Sequence, residues 1–184
     1  MVLIGVEVEV YMKKVVIILL ICILFSGCSI RKTDELTNSQ KFDNEYAVGE
    51  NNSFTYVSID ELEDLFESGT GLLFFGNSDC EWCIKSVTLL NKLINEEEIE
   101  EVFYFNPSSL NDKNKDRVLY LINEEIENIE IASIKMPSLY VIVDGVIVDY
   151  DDSSLESVDE DNDKEVKKYE KRYLELIEKY KENI

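Results

Sequence analysis

The chain has 184 residues, with 39 acidic against 18 basic side chains, a formal net charge of −21 and no histidine. That length suits one domain with appendages, and an apolar share of 45% is enough to build a core. The charge argues against nucleic-acid partners, which are held by clustered Lys and Arg, and the missing histidine excludes Ser-His triads and His-ligated zinc sites.

The N-terminal segment has the pattern of an export signal. Lys13-Lys14 precede an apolar run from Val15 to Phe25, and Ser26-Gly27-Cys28 follow. A basic start, a short apolar region and small residues at its end describe a secretory signal. The run is short of the roughly 20 residues that a membrane span needs. Phe25-Ser26-Gly27-Cys28 resembles the lipobox of bacterial lipoproteins, with Phe where Leu is usual. The resemblance implies cleavage before Cys28, lipidation of that cysteine, and a lipid-anchored protein on the extracytoplasmic face of the bacterial cell membrane. An ordinary signal peptide or an uncleaved anchor is the alternative. Residues 1–11, with Glu7 and Glu9, do not fit a positive leader, so Met12 is the expected true start. Loss of residues 1–27 removes Glu7, Glu9, Lys13 and Lys14, which leaves the net charge unchanged, and removes Cys22. With Cys28 acylated, Cys80 and Cys83 are the remaining thiols.

Residues 28–53 are polar and rich in Asn, Ser and Asp. They are expected to form a flexible tether with a random-coil reach of roughly 25–30 Å, with Tyr46–Val48 the part that could instead pack as an edge segment. A compact domain is expected over 54–184. Phe54–Val57 suits a short strand. Ser58 or Asp60 can cap a helix bearing Leu62, Leu65 and Phe66 at helical spacing, ended by Gly69 and Gly71. Leu72–Phe75 has the continuous apolar character of a buried strand. Asn77-Ser78-Asp79 forms a turn with good capping residues, before a helix from about Glu81 to Asn95 with Cys83, Val87, Leu90 and Ile94 on one face. Val102–Phe105 is a further buried strand, and Pro107–Asn111 a turn. A helix from Asp112 to about Asn128 turns Val118, Leu119, Ile122 and Ile126 inward. Asp144-Gly145 joins Leu139–Val143 to Val146–Val148 as a hairpin. An acidic loop from Asp149 to Asp163 then leads into an amphipathic helix from Lys164 to Tyr180.

Cys80-Glu81-Trp82-Cys83 follows a buried strand and opens a helix, within an alternating α/β pattern. That context favours a redox pair over a zinc site. Residues i and i+3 of the first helical turn are neighbours, so their sulfurs can close a small disulfide. The backbone N–H groups of the helix start favour a thiolate on the first cysteine.

Three features together resemble the thioredoxin superfamily: Leu72–Phe75 leading into Cys80-x-x-Cys83, Met136-Pro137 before the hairpin from Ser138 to Val146, and the terminal helix. The match spans about Phe54 to Tyr180 and looks most like membrane-attached bacterial thioredoxin-like proteins. It implies an α/β three-layer sandwich with a central mixed sheet of four to five strands flanked by helices. It also implies a thiol-disulfide oxidoreductase in which Cys80 attacks and Cys83 resolves, Pro137 is cis beside the sulfurs, and Met136 presents backbone to an extended client. No cofactor is implied. The partners are an exported protein or peptide with thiols or a disulfide, a membrane electron-transfer protein, and the membrane itself through Cys28.

Several residues depart from that pattern. Glu81 and Asp79 place two carboxylates beside Cys80, which disfavours its thiolate and points to a reductase or isomerase rather than a strong oxidase. Phe74 occupies the place of the family's buried acid, leaving water or another carboxylate to take the proton of Cys83. Trp82, the only tryptophan, is a candidate client contact. Lys85 either offsets the local negative charge or is a solvated helix lysine. The rival readings are a binding module with a structural disulfide, and a copper-handling protein in which Met136 adds a soft ligand. Asp159, Asp161, Asp163 and Glu170 resemble calcium-loop spacing within 151–163 and beyond, but Lys164 stands where glycine is required for the turn.

Overall fold

A computed structural model describes residues 35–126, 131–152 and 163–184. The elements in chain order are α1 (Asn38–Tyr46), β1 (Phe54–Tyr56), α2 (Ile59–Ser68), β2 (Gly71–Phe75), α3 (Glu81–Glu96), β3 (Val102–Phe105), a 3-10 turn (Pro107–Ser109), α4 (Asp112–Glu125), β4 (Ser138–Val143), β5 (Val146–Asp151) and α5 (Asp163–Lys181). The strands form one sheet in the order β1-β3-β2-β4-β5. β3 runs parallel to β1 and β2, and β4 is antiparallel to both β2 and β5.

Alternation along the central strands divides the core. Leu72 and Phe74 join Val102, Tyr104, Leu139 and Val141 on one face, which α1, α3 and α5 cover with Phe42, Cys83, Val87, Leu90, Leu176 and Ile177. Leu73 and Phe75 point the other way, towards Leu62, Phe66, Val118 and Ile122 of α2 and α4. A strand covered on both sides has no polar face, hence the unbroken apolar run of β2. The result is an α/β three-layer sandwich around a mixed five-stranded sheet, the architecture that the resemblance implied.

Local chemistry sets the element ends. Ser58 caps α2 through a reciprocal capping box with Glu61. The β4–β5 turn places Asp144 at φ 50° and Gly145 at φ 86°. A Cβ at residue 145 would come within 2.5 Å of the Phe66 carbonyl oxygen, so only glycine fits there.

Three boundaries differ from expectation. The segment expected as tether contains α1, and the compact unit begins at Leu36 rather than Phe54. Thr37 and Gln40 form its capping box, and Phe42 and Tyr46 are its buried residues. Phe42 stacks on Phe54 at 4.0 Å between centroids, and the Asn52 side chain donates to the carbonyls of Ser39 (3.0 Å) and Gly49 (2.7 Å). Two well-placed rings suffice to bury a helix whose composition is otherwise that of a linker. Second, β5 extends to Asp151, into the stretch expected as an acidic loop. Arg172 of α5 donates to Asp149 Oδ1 (2.6 Å) and to the Tyr150 carbonyl (2.7 Å), which neutralises the strand's acidic end. Third, α4 ends at Glu125.

Candidate active site

The strand directions bring the singled-out residues to one end of the sheet. β2 and β4 pair Phe75 with Ser138, so the chain leaving β2 towards Cys80 lies beside the chain entering β4 through Met136 and Pro137. The Met136–Pro137 peptide is cis, and Pro137 is buried. Ser138 Oγ donates to the Lys135 carbonyl (3.0 Å), and Lys135 pairs with Asp152 (2.7 Å), which fixes this entry segment.

The turn before α3 caps itself. Asn77 Oδ1 accepts from the Asp79 N–H (2.9 Å), and the Asn77 carbonyl accepts from the Cys80 N–H (3.0 Å). The helix cap therefore falls to Cys80 rather than to Asn77, Ser78 or Asp79. Its Sγ accepts from the Cys83 N–H at 3.2 Å, a geometry in which helix backbone supports negative charge on sulfur. Cys80 is half-buried and Cys83 wholly buried; both are free thiols, and the pair is close, at 2.8 Å. Burial pushes the Cys83 thiol well above its ordinary value, the hydrogen bond with Cys80 adds to this, and the Asn77 backbone N–H opposes it.

Around Cys80 the charges are partly balanced. Lys85 Nζ lies 3.0 Å from Glu81 and 4.3 Å from the Trp82 ring centroid, so it offsets the carboxylate and covers the indole at once. Trp82 is half-buried and Asp79 exposed. Met136 packs on the face that holds Cys83, and it also lines a cavity of about 510 Å³ with Pro107, Leu119 and Ile134, where Lys115 and Asp116 supply charge. The sequence gives little sign of this cavity, because its wall comes from three separated segments.

Phe74 is fully buried. The polar groups nearby are phenols that composition does not flag. Tyr104 Oη donates to the Gly76 carbonyl (3.2 Å) and lies 3.1 Å from Tyr46 Oη. A Cβ at residue 76 would meet Phe74 at 2.5 Å and Tyr46 Oη at 3.1 Å, so the close approach requires glycine. Tyr104 could have been suspected from its place beside Phe74 on a central strand; Tyr46 lay in the supposed tether.

Cys28, Asp159 and Asp161 lie outside the described residues, and Glu170 pairs with Lys92 (2.8 Å). Among the described residues no three His, Cys, Asp or Glu side chains gather as a metal set, and no helix is long and apolar enough to cross a membrane.

No protein-family model and no curated protein matches the sequence. Among solved structures, one described as having a thioredoxin fold, and provisionally as an oxidoreductase, is similar at a TM-score of 0.41 and 16% identity. The match covers 64% of this chain and 93% of that one.

Proposed function

We propose that the protein is an extracytoplasmic thiol-disulfide oxidoreductase, anchored through a lipid on Cys28 and acting on exported proteins or peptides through Cys80 and Cys83. The observation that carries this reading is the half-buried Cys80 capping α3, with Cys83 buried one turn behind it. In the reducing direction, the Cys80 thiolate attacks one sulfur of a client disulfide. The client S–S bond breaks and one client sulfur leaves as a thiolate. Cys83 then loses its proton and attacks Cys80 Sγ, which releases the second client thiolate and closes the Cys80–Cys83 disulfide. The client gains two electrons and, in water, two protons. An external dithiol, supplied by a membrane electron-transfer protein, returns the pair to its reduced form.

The Met136 backbone, at the entry to β4, would pair with an extended client as an added strand. Trp82 and the cavity beside Met136 would take client side chains. The carboxylates of Glu81 and Asp79 flank Cys80 in the sequence, and on that ground we read the protein as a reductase or isomerase rather than a strong oxidase. The test is the redox potential of the pair together with reduction of insulin disulfides. Turnover that is lost in Cys80→Ser, with clients trapped as mixed disulfides on Cys83→Ser, is the expected result. An irreducible disulfide with no turnover would instead mark a structural bridge in a binding module.

A further inference from the structure

The sheet separates the two thiols from the cavity beside Met136. Cys80 and Cys83 pack on the face covered by α1, α3 and α5, together with Leu72 and Phe74. Leu119 and Ile134, which line the cavity of about 510 Å³, pack on the opposite face with Leu73 and Phe75. Met136 packs on both faces, so it stands where the two meet, as the residue that precedes the cis peptide to Pro137.

The cavity wall is tied down at both ends. Asn123 of α4 accepts from the Ile131 N–H (2.6 Å) and donates to the Ile131 carbonyl (2.9 Å), which joins the segment carrying Ile134 and Met136 to the helix carrying Leu119. Lys135 holds the far end of that segment through Ser138 and Asp152. A wall already fixed loses little freedom when an occupant enters. Its deeper side chains are apolar: Pro107 is buried, and Leu119, Ile134 and Met136 are half-buried. Lys115 and Asp116 are exposed and of opposite sign, so they add no net charge. Such a cavity suits a large uncharged side chain, which gains by leaving water.

In an extended client, successive side chains point to opposite faces. A client cysteine aimed at Cys80 therefore aims both its neighbours at the face that carries the cavity, whereas residues two positions away share the cysteine's own face. We propose that the cavity selects clients by the residue next to their reactive cysteine: a large apolar side chain directly before or after that cysteine occupies it. The inference rests on the disulfide exchange and the strand addition at Met136 proposed above, and it adds the position and the chemistry of the selected residue.

The test uses the full chain carrying Cys22→Ser and Cys28→Ser, so that Cys80 and Cys83 are its remaining thiols. The probes are uncharged Gly/Ser peptides of equal composition, each with one cysteine and one phenylalanine. The phenylalanine stands either next to the cysteine or two positions from it, on either side. Each cysteine is joined to thionitrobenzoate as a mixed disulfide. The Cys80 thiolate attacks the peptide sulfur, the S–S bond breaks, and thionitrobenzoate, the better leaving group, departs as a coloured thiolate. Cys83 then loses its proton to water and attacks Cys80 Sγ, which releases the peptide thiolate and closes the protein disulfide. Rates are divided by those of a free dithiol with the same peptide, which removes differences in intrinsic reactivity. The better of the adjacent isomers is expected to react about five- to tenfold faster than either spaced isomer. Leu119→Asn, which makes the wall polar, and Ser133→Trp, which crowds the cavity from an exposed position of its lining, should each bring that ratio to within about twofold of unity. The second variant reports even if the first fails to fold. Tyr120→Ser is the control: it is exposed on α4 outside the lining and should keep the ratio. Spaced isomers that match or outpace the adjacent ones, or a preference that survives both cavity variants, would overturn the inference and leave the oxidoreductase reading intact. A parent chain that releases thionitrobenzoate from no peptide would overturn both.

Discussion

At the residue scale, the environment of Cys80 is set by a small number of opposed charges. The sequence places Glu81 and Asp79 beside the thiol; the structure adds Lys85, pairing with Glu81 across one helical turn. Surface pairs of this kind contribute little to stability, but this one lies beside Cys80 at the helix start. Replacing Glu81 by Gln removes a negative charge beside Cys80, so the reduced pair is stabilised and its potential should rise by about 5–20 mV. Lys85→Gln leaves Glu81 uncompensated and should lower the potential by a similar amount. Equilibration with glutathione buffers measures both, and equal shifts of the same sign would contradict the account.

At the element scale, α1 and α5 are the two helices whose role the tertiary contacts define. Phe42 is fully buried and stacks between Phe54 and Tyr46. Phe42→Ala should therefore cost about 3–5 kcal/mol in urea denaturation, whereas a tether residue would cost nothing. The end of β5 is held to α5 by Arg172. Burial alone would raise the Asp149 carboxyl, but Arg172 reverses this and holds it below its ordinary value. A depressed carboxyl stabilises the fold fully above its unfolded value of about 3.9, and that contribution fades as pH falls through the lower folded value. Arg172→Met should accordingly cost about 1–2 kcal/mol at pH 7 and progressively less below about pH 4. A penalty that stays constant over that range would mean that Arg172 acts by packing rather than by charge.

For the whole molecule, the dominant physical quantity is the net charge of −21. A field of that sign concentrates cationic clients and repels anionic ones, an effect that salt screens over about 8–10 Å. Disulfide peptides of equal length should therefore be reduced roughly tenfold faster when cationic than when anionic at low salt, and the ratio should shrink towards unity at high ionic strength. A ratio independent of salt would assign the preference to contacts at Trp82 or in the cavity beside Met136.

The sequence by itself determined the element order from β1 to α5, the two-sided burial of β2 and the place of the C-x-x-C at a helix start. These are local matters, fixed by periodicity, capping residues and the Asp144-Gly145 turn. The inward residues of α3, Cys83, Val87, Leu90 and Ile94, were legible for the same reason. Only the tertiary structure decided what depends on distant segments meeting. α1 is held by two rings that find Phe54 and Tyr104; β5 lengthens because Arg172 reaches it from α5; the cavity needs three stretches of chain; and Tyr46 meets Tyr104 and Gly76 only after the sheet has formed. Hydrophobic spacing carries no record of such meetings, because a polar-looking segment is buried by the partner it finds rather than by its own composition.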